Sequence, residues 1–112
     1  MKKLIAVPMT NGQLSSHFGH CEQFSITTTE GGKILSEDLI TPPPHEPGLL
    51  PKFLSEKGVH VIIAGGMGSR AQNLFTQNNI EVNYGVAAAT PNELVEKYLA
   101  ENLVTGENLC DH

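Results

Sequence analysis

Large aromatic side chains and cysteines are scarce in this sequence. Its 112 residues include no tryptophan, four phenylalanines, two tyrosines and two cysteines, Cys21 and Cys110. No apolar run approaches the roughly 20 residues of a membrane span. The apolar stretch near the start ends at Pro8, which is too early for a signal peptide. We therefore expect a soluble cytoplasmic protein whose cysteines stay reduced and are candidate metal ligands.

Positive charge is scarce as well. Seven lysines and arginines stand against twelve aspartates and glutamates, which gives a net charge of −5. Because no basic patch stands out, we expect no nucleic-acid partner. Because no apolar run is long enough to span a bilayer, we expect no membrane partner. A chain of this length can bury one core. We predict a single domain over residues 1–106 and a C-terminal tail over residues 107–112.

Hydrophobic patterning predicts an α/β fold with the element order β-β-β-α-β-α-β-α. Three strands open the chain as an antiparallel meander, and two strand–helix units extend the sheet in parallel. Right-handed crossovers then give a five-stranded mixed sheet with helices on both faces, a strand order like that of ribonuclease H. The predicted strands are Lys2–Met9, Gln23–Thr29, Ile34–Ile40, Val59–Ala64 and Ile80–Val86, and the predicted helices are Leu49–Lys57, Ser69–Asn78 and Pro91 to about Asn102.

A glycine turn follows the most apolar strand. Val59–Ala64 reads as a strand buried on both faces, and Gly65-Gly66-Met67-Gly68 leads from it into a helix that carries Arg70. Free backbone N–H groups at such a helix start favour an anionic ligand, and Arg70 can add a cation. The alternative is a turn that only packs the helix close to the sheet. The pattern Gly66-x-Gly68-x-x-Ala71 is a degenerate dinucleotide fingerprint, placed after the wrong strand for that motif.

Candidate metal ligands lie in three other places. Thr10–His20 is a polar stretch of eleven residues without a periodic pattern, which predicts a long functional loop. Imidazole and thiolate groups are suitable ligands for zinc, copper or iron. The alternative is that the histidines are ordinary surface residues and the cysteines are small buried apolar residues. The candidate ligands are His17, His20 and Cys21 at the end of this loop, His45 in a proline-rich crossover, and Cys110 and His112 in the tail.

Three functions remain open on these residues alone. The first is the binding of a metal or metal cluster, the second a nucleotide- or phosphate-binding regulatory module, and the third a ligand-free interaction protein with an exposed sheet edge. An enzyme is not expected. Ser15 and Ser16 near His17 have no orienting carboxylate, and the first strand lacks the acidic residues that a two-metal nuclease needs.

Four segments in the same order resemble the dinitrogenase iron–molybdenum cofactor biosynthesis family. This resemblance covers nearly the whole chain and is closest to the small stand-alone, NifX-like members. The segments are Ile5–Pro8, Ser16–Phe24, His45–Pro51 and Ala64–Ala71.

The resemblance implies a ribonuclease H-like fold without nuclease activity and a carrier role related to nitrogen fixation. The cargo would be an anionic metal–sulfur cluster with iron and, in some members, molybdenum. The partners would be proteins that donate or accept the cluster, and the carrier itself would be a monomer or a weak homo-oligomer. The residues implied in cofactor binding are Ser16, His17, Gly65, Gly66, Met67, Gly68 and Arg70.

Overall fold

A computed structural model describes residues 2–14, 23–41, 49–67, 69–86 and 89–100. It shows an α/β fold in which a mixed sheet is combined with three described helices. The elements are β1 (Lys2–Thr10), β2 (Gln13–Leu14), β3 (Gln23–Glu30), β4 (Lys33–Ile40), α1 (Leu49–Glu56), β5 (Val61–Ile63), α2 (Ser69–Gln77), β6 (Glu81–Asn83) and α3 (Pro91–Leu99). None of these helices is long and apolar enough to cross a membrane.

The strand order gives the sheet two ends with different roles. The long path through the sheet is β4-β3-β1-β5-β6, in which β3 and β4 form the antiparallel meander and β5 and β6 run parallel to β1. We call the end where β1, β5 and β6 finish the carboxyl end, and the end where they begin the amino end. Crevices at the carboxyl ends of parallel strands are where open α/β sheets bind ligands.

The short strand β2 was missed by the sequence analysis. The prediction of a loop without regular structure over Thr10–His20 is wrong in its first part, because Thr10 pairs with Gln13 and Met9 with Leu14. Asn11 (φ 54°) and Gly12 (φ 82°) form the intervening tight turn, in which both residues need positive φ. The described sheet therefore has six strands rather than the five predicted.

Leu14 lies on a defined side of β1. Met9 already pairs with Gln23 of β3, so Leu14 must pair with the opposite side of Met9. Strand β5 occupies the same side of β1 three residues earlier, where Ala6 pairs with Ile62. The hairpin thus fills the carboxyl end of the sheet beside the end of β5.

Helices cover both faces of the sheet, as predicted. Alternate residues of β1 point to opposite faces, with Ile5 on one face and Ala6 on the other. Ala6 belongs to a buried cluster with Leu54 of α1 and Phe75 of α2. Ile5 belongs to a second cluster with Val95 of α3. Because β1 is buried on both faces, its side chains are apolar at successive positions, which explains the continuous apolar run near the start of the sequence.

Helix α1 ends in a Schellman motif, as the glycine after it predicts. The N–H of Val59 donates to the carbonyl oxygen of Leu54 (3.1 Å), and the N–H of Gly58 donates to that of Ser55 (3.0 Å). Gly58 has a φ of 85°, which glycine adopts without a steric penalty. Strand β5 is shorter than predicted because Val59 belongs to this cap rather than to the strand.

Helix α2 ends in the same way with asparagine in the glycine position. The N–H of Ile80 donates to the carbonyl oxygen of Phe75 (2.9 Å), and Asn79 has a φ of 61°. The predicted end of this helix at the two asparagines is therefore confirmed. The start of α3 is also capped, because Thr90 accepts a hydrogen bond from the N–H of Glu93 (3.4 Å) through its side-chain oxygen.

Candidate functional site

The glycine turn after β5 lies at the carboxyl end and pairs with a second turn after β6. The N–H of Ala64 donates to the carbonyl oxygen of Asn83 (2.7 Å), and the N–H of Gly85 donates to that of Gly65 (2.7 Å). The N–H of Val86 in turn donates to the carbonyl oxygen of Ala64 (3.3 Å). Two chain reversals thus hold each other in place, and residues 61–67 are all buried.

Gly65 and Gly66 differ from Gly85 in their backbone conformation. Neither has a positive φ, whereas Gly85 beside them has a φ of 73°. Both are buried where the two turns meet. We infer that the absence of a side chain serves close approach, either of the neighbouring turn or of a ligand.

Met67 contributes its main chain to this turn and its side chain to the core. The residue is 1% exposed and belongs to the cluster that also contains Phe75. Its carbonyl oxygen accepts a hydrogen bond from Nε2 of Gln72 (2.9 Å), which ties the turn to the first part of α2. The side chain of Met67 is therefore part of the core and is not available to a ligand in this conformation.

Arg70 follows directly in the first turn of α2. It is exposed, as is Ser69 before it. The first turn of α2 therefore combines the positive end of the helix dipole with an exposed cationic side chain. Gly68, the remaining glycine of the predicted site, lies outside the described residues.

All six predicted metal ligands lie outside the described residues, but described residues flank the segments that contain them. Leu14 precedes residues 15–22, and its N–H donates to the carbonyl oxygen of Ala89 (2.9 Å) at the start of α3. Gln23 follows them and pairs with Met9. Both flanks of this segment therefore lie at the carboxyl end. Its predicted site residues are Ser16, His17, His20 and Cys21.

The segment with His45 also starts at the carboxyl end. Ile40, the last residue of β4, pairs with Phe24, which is next to Gln23 in β3. Residues 42–48 begin two positions after Ile40. The topology thus brings the starts of two ligand-bearing segments to the same end of the sheet as the glycine turn.

Residues 101–112 leave from the opposite end. Near the end of α3, the hydroxyl of Tyr98 donates to Oε2 of Glu81 (2.8 Å) at the start of β6. Nζ of Lys3 lies 5.5 Å from the centroid of the same ring. The following segment, with Cys110 and His112, lies outside the described residues and departs from the amino end.

The Tyr98 contacts change the acidity of its hydroxyl. Burial, followed by the hydrogen bond and the charge of Glu81, raises the pKa of Tyr98 from 10.0 to about 12. All three effects disfavour the phenolate form of Tyr98. This cluster joins α3 to the sheet and lies away from the glycine turn.

The described residues do not themselves form a metal site. No group of three or more histidine, cysteine, aspartate or glutamate side chains comes together within them. The described histidine, His60, lies at the amino end, where its Nδ1 accepts a hydrogen bond from the N–H of Leu4 (3.1 Å). His60 therefore has a local structural role that the sequence analysis did not assign.

The sequence analysis missed Gly85 as a neighbour of the glycine turn and Ala89 as the acceptor of the hydrogen bond from the N–H of Leu14. Both lay in or beside a predicted strand that ran from Ile80 to Val86, whereas β6 stops at Asn83. A lone glycine inside a strand pattern is a known signal for a bulge or a close backbone approach. Gly85 carried that signal.

Comparison with known proteins decides the family. The family model described as dinitrogenase iron-molybdenum cofactor matches residues 1–101. The chain belongs to this family. The match confirms the resemblance in the sequence, and residues 102–112 lie beyond it.

Individual relatives share the fold and most of their length with this family member. An uncharacterized protein of Methanocaldococcus jannaschii is 32% identical over 104 residues, covering 88% of this chain and 87% of the relative. The crystal structure of PH0822 superposes with a TM-score of 0.84 at 25% identity, covering 94% of each chain. The apo form of the orange protein from Desulfovibrio gigas gives a TM-score of 0.75 at 18% identity, covering 95% of this chain and 94% of that one.

Proposed function

We propose that this protein binds and carries an anionic metal–sulfur cluster, of iron or of iron and molybdenum, at the carboxyl end of its sheet. It acts on the cluster by holding and releasing it, without catalysis. Donor and acceptor proteins in the cytoplasm are its partners, and the carrier is a monomer or a weak homo-oligomer. Family membership supports a role in iron–molybdenum cofactor handling, and the geometry supports the location.

One observation carries the proposal. Both flanks of residues 15–22 lie at the carboxyl end, the end that also holds the Gly65-Gly66 turn. Soft metal ligands and backbone donors therefore come from segments anchored side by side. A sulfide-rich cluster is negatively charged, so it is attracted both by a helix start and by the Arg70 guanidinium.

The residues divide into two groups by their chemistry. Backbone N–H groups and polar side chains hold the negative surface of the cluster, and imidazole or thiolate groups bind its metals. The first group comprises Gly65, Gly66, Met67 (through its backbone), Gly68, Arg70 and Ser16. The second comprises His17, His20, Cys21 and His45, joined by Cys110 and His112 when residues 101–112 reach the site.

A ribonuclease H-like classification of the fold is part of the same proposal. The central β1 flanked by antiparallel β3 and parallel β5 supports it. The buried part of β1 reads Ile5-Ala6-Val7, so the strand that carries acidic metal ligands in such nucleases is apolar here. This substitution favours a binding role over two-metal hydrolysis.

Anaerobic reconstitution tests the proposal. The protein is incubated with iron, sulfide and molybdate, and bound metal per chain and charge-transfer absorption are measured after desalting. We expect visible bands in the native protein and their loss in a His17→Ala/Cys21→Ser variant. Arg70→Ala should weaken retention of the cluster, whereas Lys97→Ala, which removes an exposed cation from α3, should not.

The alternatives have distinct outcomes in this experiment. A colourless, metal-free protein under every condition would overturn the carrier function. If such a protein instead bound a nucleotide in an Arg70-dependent manner, phosphate recognition at the glycine turn would replace it. Bands that survive in the His17→Ala/Cys21→Ser variant would move the metal ligands to the remaining histidines and Cys110.

A further inference from the structure

Three large apolar side chains are exposed in the described part of the chain. Leu35 and Leu39 are each 55% exposed and belong to β4, which lies at the opposite edge of the sheet from β6. Tyr84 is 36% exposed and comes directly after β6. A single exposed leucine on a surface needs no functional explanation. Tyr84 differs from the two leucines because it lies beside the candidate site.

The backbone on both sides of Tyr84 is held against the glycine turn. The carbonyl oxygen of Asn83 accepts a hydrogen bond from the N–H of Ala64 (2.7 Å), and the N–H of Gly85 donates to the carbonyl oxygen of Gly65 (2.7 Å). Gly85 has a φ of 73°, so the chain reverses immediately after the tyrosine. Because these hydrogen bonds lie one residue before and one residue after Tyr84, the backbone fixes this residue next to the glycine turn.

Strand alternation indicates the face on which the Tyr84 ring lies. Val82 packs against the buried cluster that contains Phe75, so it points to the face of the sheet that α2 covers. Tyr84 follows Asn83, the last paired residue of β6, and side chains two residues apart along a strand share a face. Helix α2 begins after the glycine turn and carries Arg70 in its first turn. The topology therefore brings a phenol and a guanidinium group to the same end of the same face.

The two tyrosines of the chain differ in the use of their hydroxyl groups. The hydroxyl of Tyr98 donates to Oε2 of Glu81 (2.8 Å) at the amino end. The hydroxyl of Tyr84 has no hydrogen-bond partner among the described residues. Tyr98 therefore joins two parts of the fold, whereas Tyr84 offers an O–H donor and an exposed ring at the carboxyl end.

A phenol group provides two interactions that suit a sulfide-rich anion. Its O–H can donate a hydrogen bond to a negatively charged sulfur atom, and hydrogen bonds to ionised acceptors are stronger than neutral ones. The edge of the ring carries the positive part of the aromatic quadrupole, which is attracted to negative charge. The ring also excludes water, which strengthens the electrostatic interactions beneath it. These contacts at short range complement the charge of Arg70.

We propose that Tyr84 is a further cofactor-binding residue, whose ring forms a side wall of the site at the Gly65-Gly66 turn and whose hydroxyl donates a hydrogen bond to a sulfur atom of the bound cluster. This inference rests on the proposed function and adds a contact to it. The site then receives Arg70 from the segment after β5 and Tyr84 from the segment after β6. Crevices beyond the carboxyl ends of neighbouring strands are formed in this way in open α/β sheets.

Ring signals of the two tyrosines test the contact in the unaltered protein. The full-length chain is labelled with ¹³C in its tyrosine rings and incubated anaerobically with iron, sulfide and molybdate, and its spectrum is compared with that of the metal-free protein. Because the chain has two tyrosines, Tyr84→Phe and Tyr98→Phe assign both sets of signals. We expect the Tyr84 signals to shift or broaden strongly, while those of Tyr98 at the amino end keep most of their intensity.

Two substitutions separate the hydroxyl from the ring. Tyr84→Phe keeps the ring and should speed the loss of bound metal to a chelator about tenfold, because one hydrogen bond to a charged acceptor is removed. Tyr84→Ala removes the ring as well and should speed this loss further. Leu35→Ala removes an exposed apolar side chain at the opposite edge of the sheet and should release metal at the native rate. Circular dichroism of each metal-free variant checks that the fold is kept.

The metal content per chain separates failure of this inference from failure of the proposed function. If the loaded protein retains metal but both tyrosines respond equally, or if Tyr84→Ala releases metal no faster than Leu35→Ala, Tyr84 is not a binding residue and the carrier function stands. If no metal is retained under any condition, both are overturned. A cluster that affects the Tyr84 signals but is released at the native rate by Tyr84→Phe would overturn the hydrogen bond to sulfur.

Discussion

The two ends of the sheet are built on different principles. At the amino end, the backbone and side chains are closed by local motifs: two Schellman caps, the His60–Leu4 pair and the Tyr98–Glu81 hydrogen bond. At the carboxyl end, chain reversals rich in glycine hold one another through the backbone, and Arg70 stays exposed. The comparison separates an amino end closed by local caps and side-chain pairs from a carboxyl end where two turns meet through their backbones beside an exposed cation.

The largest expected effect comes from the core beneath the α2 cap. Phe75 is fully buried and contributes to the Schellman motif that Ile80 completes. Phe75→Ala should lower the free energy of unfolding by about 3–5 kcal/mol, because it removes an aromatic ring and leaves a cavity. Urea unfolding followed by circular dichroism measures this loss. Gln77→Ala, on the exposed side of the same helix, is the control and should change stability by less than about 0.5 kcal/mol.

The caps at the amino end provide a pair of opposite changes. Gly58→Ala should cost about 1–2 kcal/mol, because alanine is strained at a φ of 85°. Steric contact is not the cause, since the added Cβ would lie 3.9 Å from Cδ2 of Leu4. Asn79→Gly should instead stabilise the protein by up to about 1 kcal/mol, since it relieves the same strain. Both values come from chemical unfolding, and changes of the same sign in the two variants would contradict a conformational origin.

The cap of α3 extends the test to the carboxyl end. Thr90→Ala should cost about 1 kcal/mol, because the N–H of Glu93 loses its side-chain acceptor. Thr90→Ser keeps a hydroxyl acceptor and should recover most of this loss. Arg70→Ala, by contrast, should leave the free energy of unfolding within about 0.5 kcal/mol of the native value while it weakens cluster retention. A large loss of stability in Arg70→Ala would mean that the two ends are not divided in this way.

The smallest expected effect concerns pH and the Tyr98 cluster. The pKa of Tyr98 is raised from 10.0 to about 12 in the folded protein. The contribution of the Tyr98 hydroxyl to the free energy of unfolding is therefore fully present below pH 10.0. It is lost as the pH rises toward about 12, because Tyr98 releases its proton at a lower pH in the unfolded chain than in the folded protein. At neutral pH, Tyr98→Phe should cost about 1 kcal/mol or less. Unfolding free energies of both proteins across this range should converge at high pH, and a difference that stays constant would show that the Tyr98 proton is not involved.

Much of the fold followed from local patterns. Every predicted strand and helix is present in the described residues, because burial on one or both faces leaves a periodicity in the sequence. Gly58, the two asparagines after α2 and Thr90-Pro91 marked helix ends, since caps are made by residues a few positions apart. The missed β2 was also a local signal, because Asn11-Gly12 is a strong sequence mark of a tight hairpin.

The candidate site followed less completely. The glycine turn and Arg70 were identified from the sequence, because a strand, a glycine run and a helix start are contiguous there. The pairing of Gly65 with Gly85 was not identified from the sequence. These two residues are 20 positions apart and meet only through the parallel pairing of β5 and β6. The burial of Met67 likewise depends on Phe75 and the rest of its cluster.

The sequence by itself determined the elements, their ends and the chemical types available for binding. It did so because periodicity, capping and turn formation act over a few residues. The tertiary structure alone decided which segments share an end of the sheet, that the side chain of Met67 lies in the core, and at which end of the sheet α3 finishes. These are outcomes of strand order and packing between residues far apart in the chain, which no local pattern specifies.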